Sequence, residues 1–122
     1  MHGIKCFSHI MLYVADLERA VDWYCKTLGF TPNFVVPNIF ASLRHDDWGC
    51  RVDLHPSEAD GKDVGHGPIP YFLVDDIEAT LASLKEAGVK VGPVKQEGDS
   101  PLFASIWDSE SNALGLEQEV IR

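Results

Sequence analysis

Val14-Ala15-Asp16-Leu17-Glu18 is answered 60 residues later by Val74-Asp75-Asp76-Ile77-Glu78. Each stretch reads as the end of a strand running into the start of a helix. The correspondence continues into the helices: Ala20, Val21 and Tyr24 match Thr80, Leu81 and Leu84, and the two helices stop at Gly29 and Gly88, so the register slips to 59 at the end. A repeat of this length in a chain of 122 residues means two copies of one supersecondary unit.

Reading outward from the first copy, Phe7 to Val14 reads as a strand, with Ile10, Leu12 and Val14 on one face and His9, Met11 and Tyr13 on the other. Asp16 suits an N-cap, because its carboxylate can accept from the free N–H groups of the first turn, and Glu18 suits the positive end of the helix dipole. Leu17, Ala20, Val21, Tyr24 and Leu28 recur at helical spacing and make one apolar stripe, which Gly29 ends in the left-handed region. Strands are expected at Thr31–Val36, Ile39–Arg44 and Cys50–His55, the last stopped by Pro56. Ser57 to Pro68, rich in glycine and acidic residues and without periodicity, reads as the linker, and His66 within it as a solvated loop histidine.

The second copy repeats the order. Ile69–Val74 is a strand, Asp76 caps a helix with the stripe Ile77, Thr80, Leu81 and Leu84, and Val89–Lys95, Leu102–Trp107 and Ala113–Val120 complete it. Asp108-Ser109-Glu110-Ser111-Asn112 is a turn by composition. The fold class is therefore α+β, with modules over 1–60 and 61–122 within one domain. A sheet with a single helix hides one face only, so a hollow is expected where the copies meet.

Composition bounds the function. Ten Lys and Arg against 19 Asp and Glu give a net charge of −9 with no basic cluster, which argues against nucleic acid and anionic membrane surfaces. No run approaches the ~20 apolar residues that cross a bilayer, and the first residues lack a leader's apolar region, so a cytoplasmic setting is expected. Cys6, Cys25 and Cys50 are odd in number and share no CxxC spacing, against a disulfide framework or a cysteine zinc site.

The chain resembles the vicinal oxygen chelate superfamily of glyoxalases, bleomycin-resistance proteins and extradiol dioxygenases. The resemblance rests on the run from Phe7 to Leu17 with Ser8-His9-Ile10 at its head, on Trp23-Tyr24 followed by Leu28-Gly29-Phe30, on Tyr71-Phe72-Leu73-Val74-Asp75-Asp76-Ile77 with Gly88, and on the turn Asp108–Asn112 before Leu114-Gly115-Leu116. It implies paired βαβββ modules curled into a half-open barrel around a cup-shaped cavity, a two-fold dimer, and in metal-using members a divalent ion such as zinc, manganese, nickel or iron that binds two adjacent substrate oxygens. The four ligand positions fall on His9, Asp53, Ile69 and Gly115. His9 can coordinate; Asp53 can, with one methylene less reach than the usual glutamate; Ile69 and Gly115 cannot.

Half the shell is missing, and three or four protein ligands are the norm, so no resident cofactor is expected. His55 and Glu117, each two residues beyond a ligand position, could join His9 and Asp53 in a shifted metal set, although a two-residue step moves a side chain about 6.6 Å along a strand. Without a metal, His9 and Asp53 form a potential general-base pair. Tyr13, Tyr71, Phe103 and Trp107 are candidates to line the cavity, over a floor that Gly115 leaves open. The expected function is binding of a hydrophobic or aromatic small molecule without metal. A divalent-metal lyase or dioxygenase is the alternative, and a metal-free isomerase or hydrolase a third reading.

Overall fold

A computed structural model describes residues 2–120. Among them the chain forms β1 (Ile10–Val14), α1 (Leu17–Leu28), β2 (Thr31–Val36), β3 (Phe40–His45), β4 (Cys50–Pro56), β5 (Tyr71–Val74), α2 (Ile77–Glu86), β6 (Lys90–Val91), β7 (Phe103–Trp107) and β8 (Ala113–Gln118). The strands make two four-stranded sheets of identical order, β1-β4-β3-β2 and β5-β8-β7-β6. In each, the first and last strands of the module run parallel side by side, and the rest of the sheet is antiparallel.

The helix signals act as expected. Asp16 Oδ1 accepts from Arg19 N at 3.0 Å and Asp76 Oδ1 from Ala79 N at 3.1 Å. Gly29, at φ 77°, ends α1 in the left-handed region. Leu17, Ala20 and Tyr24 of α1 and Ile77 and Leu81 of α2 are buried against their own sheets, over Leu12, Val14, Leu43, Val52 and Leu54 in the first module and Ala104, Ile106, Leu114 and Leu116 in the second. The opposite sheet faces stay open, so Met11, Tyr71 and Leu73 are exposed.

Several strands are shorter than their sequence patterns. β1 and β5 begin three and two residues later than expected, at Ile10 and Tyr71, which leaves His9 and Ile69 on the approaches to the strands. The expected strand over 89–95 reduces to Lys90–Val91 plus a single bridge from Lys95 to Phe103. Pro93, which has no N–H to give a ladder, comes after Gly92 and interrupts the pairing.

Each module's last hairpin turn reaches over to the other module. In the second, the Asp108–Asn112 turn docks onto the β1–α1 junction. Tyr24, fully buried, donates its hydroxyl to Asp108 Oδ2 at 2.6 Å. Glu110 accepts from Arg19 Nε at 2.8 Å and Nη2 at 3.0 Å, and from the Asp16 backbone N–H at 2.8 Å. Asn112 Nδ2 donates to the Tyr13 carbonyl at 3.0 Å, while its Oδ1 accepts from Gly65 N. In the first, Trp48 of the β3–β4 turn lies against Phe72 of β5, ring centroids 5.3 Å apart. What composition marks as an ordinary polar turn is a buried polar joint between the copies.

Candidate functional site

Where the modules meet, the starts of β1, β4 and β5 enclose a half-open cavity of about 560 Å³. Phe7, Ile10, Trp48 and Arg51 line it from the first module, and Tyr71 and Leu73 from the second. Its size falls in the range of small-molecule sites, and its walls are mainly apolar. A second groove, between α1 and the β2–β3 turn at Pro37-Asn38, has an acidic rim of Asp16, Glu18 and Asp22, of which Asp16 caps the helix and Asp22 pairs with Lys26 at 2.9 Å.

Trp48 is held rigidly for an aromatic that is 48% exposed. It stacks flat on His45, with centroids 3.6 Å apart and planes 3° from parallel, and meets Phe30 edge-on at 5.8 Å. His45 is itself fixed by a contact of 3.0 Å from Nε2 to the Leu28 carbonyl. The ring therefore presents a prepositioned apolar face to the cavity.

On the cavity's polar side, Arg51 and Asp53 alternate along β4 and share a face. Arg51 Nε and Nη2 donate to the two carboxylate oxygens of Asp53, each at 3.0 Å. His9 Nε2 lies 3.3 Å from Asp53 Oδ2, and its Nδ1 is 2.8 Å from the Ser8 hydroxyl. The Ser42 hydroxyl lies buried opposite Asp53 in the β3–β4 register. Burial pushes the Asp53 carboxyl up, but Arg51, Ser42 and His9 together outweigh it and hold the group below the usual carboxylate range. The Arg51 guanidinium is correspondingly held in its charged form by the Asp53 hydrogen bonds.

The structure brings together only part of the set expected from sequence. His9, just before β1, and Asp53 on the adjacent β4 meet. His55 turns away: its Nδ1 is 2.8 Å from the Pro56 carbonyl, its ring meets Tyr13 edge-on at 5.9 Å, and its Nε2 is 3.8 Å from Glu58. Glu117 lies in the other module, opposite Leu73 on β5 and Phe103 on β7. Among the described residues no three His, Cys, Asp or Glu side chains gather in a way that could hold a metal ion. The chain's own residues do not fit the divalent centre that the resemblance implies, because Arg51 already occupies both oxygens of the one carboxylate at hand.

The expected floor also needs correction. Gly115 does not leave an open space: a Cβ there would collide with the ring of Tyr71, its register partner on β5, which lies across the glycine. The glycine serves close approach of an aromatic ring. Tyr71 therefore both lines the cavity and covers the fourth ligand position. Of the other aromatics, Tyr13 donates its hydroxyl to Glu58 at 3.3 Å, and Trp107 sits beneath the Lys90 ammonium at 4.8 Å on the open face of the second sheet; neither these nor Phe103 is in the cavity wall.

Sequence reasoning missed Trp48, Phe7 and Arg51 as lining residues. A tryptophan within the turn Asp46-Asp47-Trp48-Gly49 was the available signal, since a large aromatic rarely sits in a tight turn without something to cover. Cys50, also in the wall, has its thiol pushed up by burial, which favours the protonated form.

Comparison with known proteins agrees with this geometry. The sequence model of the Glyoxalase/Bleomycin resistance protein/Dioxygenase superfamily matches residues 7–105. A superfamily member from Sphaerobacter thermophilus has a similar structure, with a TM-score of 0.78 at 26% identity over 94% of this chain and 98% of that one. So has TnmS3, an antibiotic-binding protein from Streptomyces sp. CB03234, at 0.76 and 24% identity over 95% of this chain and 98% of that one. By sequence, the chain is 29% identical over 84 residues to a trivalent organoarsenical cleaving enzyme of Bacillus sp., covering 68% of this chain and 52% of that protein, so it spans about half the length of that relative.

Proposed function

Since the chain belongs to the Glyoxalase/Bleomycin resistance protein/Dioxygenase superfamily, we propose that it is a small-molecule-binding protein that takes an aromatic or hydrophobic ligand into the seam between its modules without a metal. The observation that carries this reading is the substitution of an aromatic seat for a coordination shell. Ile69 and Gly115 stand at two of the four positions where metal-using relatives place ligands, and the Tyr71 ring lies over Gly115. Arg51 closes the remaining carboxylate. The similar antibiotic-binding structure supports the same kind of role.

The exposed apolar groups around the seam, Phe7, Ile69 and Leu73, support association of two copies across these faces. Light scattering that reads a single 13.5 kDa chain would remove that part of the reading.

Chelation tests the function directly. Purified protein treated with EDTA is expected to melt within about 1 °C of untreated protein, because a ligand that does not bind contributes nothing through mass action. Elemental analysis should find metal well below one equivalent per chain. A drop of several degrees on chelation, restored by zinc, manganese, nickel or iron, would turn the assignment to a metal-dependent lyase or dioxygenase with a regrouped ligand set.

A further inference from the structure

We propose that the seam selects ligands that carry an acidic group on an aromatic frame, such as an aromatic carboxylate, phenolate or sulfonate, and that Arg51 is the residue that selects them. The inference rests on the binding function proposed above and adds the chemical class. Arg51 is the only charged side chain in the cavity wall among the described residues. Asp53 takes up Nε and Nη2, while Nη1 has no partner among the described residues. The carboxylate thus fixes the plane of the guanidinium and leaves part of its donor fork unused. A cation held in this way, in the same cavity wall as Trp48 and Tyr71, is organised before a ligand arrives, so little ordering cost remains to be met on binding.

A second feature of the same sheet face points the same way. Arg44 on β3 is the direct register partner of Arg51 on β4. Side chains so placed have Cβ atoms about 5 Å apart, and like charges there repel. Arg44 is anchored by Asp46 at 3.0 Å and by the Pro32 carbonyl at 3.1 Å, but Asp46 is exposed and screened by water. Arg44 and Arg51 thus stand side by side on one sheet face, each turned to its own carboxylate, in a chain of net charge −9. The overall negative charge acts against anions only at long range and is screened beyond about 8 Å at physiological salt, so recognition is confined to the cavity.

A matched pair of probes tests this: 8-anilinonaphthalene-1-sulfonate and N-phenyl-1-naphthylamine share one aromatic frame and differ in the sulfonate. Wild-type protein is expected to bind the sulfonate on the order of tenfold or more tighter, as a charge-assisted contact in an apolar site allows. In the double variant R51Q/D53N, which removes the cation without stranding its carboxylate, that ratio should fall to about one. Equal binding of both probes to wild type, a comparison that needs no variant, would overturn the selection for anions. So would a ratio that survives in the double variant. If neither probe binds wild type, the apolar seam itself is refuted as a ligand site, and the selection falls with it.

Discussion

Asp108→Ala is expected to destabilise the protein by about 3–5 kcal/mol, as several buried donors lose one shared acceptor together. Asp108 accepts from the Tyr24 hydroxyl, from the backbone N–H groups of Glu110 and Asn112, and from Asn112 Nδ2. Alanine leaves three donors without an acceptor, and Asn112 Nδ2 with the Tyr13 carbonyl alone, in a region where Tyr24, Glu110 and Asn112 are all buried, and each orphaned group costs about 1–3 kcal/mol before relaxation. Against a typical total of about 5–15 kcal/mol, such a loss threatens the fold at 37 °C.

Tyr24→Phe, which removes one donor and leaves Asp108 three others, should cost only about 1–2 kcal/mol. Urea midpoints of the two variants provide the comparison. A midpoint for Asp108→Ala within about 1 kcal/mol of wild type would mean that the turn does not pin the modules together.

The same joint has a pH signature. Burial pushes the Glu110 carboxyl up, but hydrogen bonds from Arg19, the Asp16 backbone and Ser109 overcome this and hold it below the usual glutamate range. A carboxyl depressed on folding contributes stability that is complete above its unfolded value, about 4.3, and is lost as the pH falls through the lower folded value. Glu110→Gln should therefore be less stable than wild type at neutral pH, and the gap should narrow below pH of about 4.

Trp48→Ala is expected to weaken binding of an aromatic ligand by about 10- to 100-fold, the loss typical of a central aromatic anchor. It should also cost about 2 kcal/mol of stability, less than the 3–5 of a fully buried tryptophan, because the residue is 48% exposed. The ring is the cavity's most constrained surface, stacked on His45 and packed against Phe30 and Phe72. Its removal therefore takes away both a wall and a contact between modules. Trp107→Phe is the contrasting case: Trp107 lies outside the cavity wall, so affinity should stay within about twofold. The reverse ranking, with Trp107 essential and Trp48 dispensable, would place the ligand on the open face of the second sheet.

The fold was legible because its signals are local and doubled. Asp16 and Asp76 cap, the stripes on both helices bury, and Gly29 terminates as a glycine in that position should. The pairing of His9 with Asp53 was legible for the same reason, since module topology sets the first and last strands side by side. Side-chain partners were less so. Gly115 reads as empty space in a sequence, because nothing local says that Tyr71, 44 positions earlier, folds its ring across it. Asp108, Glu110 and Asn112 have the composition of a solvated turn, and only tertiary docking makes them a buried joint. Arg51 is one charged residue on a strand until its register with Arg44 and its grip on Asp53 are known.

The central claim is that the seam, and not a metal centre, holds the ligand. Electron density of crystals grown with 8-anilinonaphthalene-1-sulfonate in the presence of manganese tests it most directly. The expected density shows the aromatic frame between Trp48 and Tyr71, with the sulfonate against Arg51 and no ion between His9 and Asp53. An ion bound by His9 and Asp53 with the probe attached to it, or a probe seated on Phe103 and Trp107 with the seam empty, would contradict it.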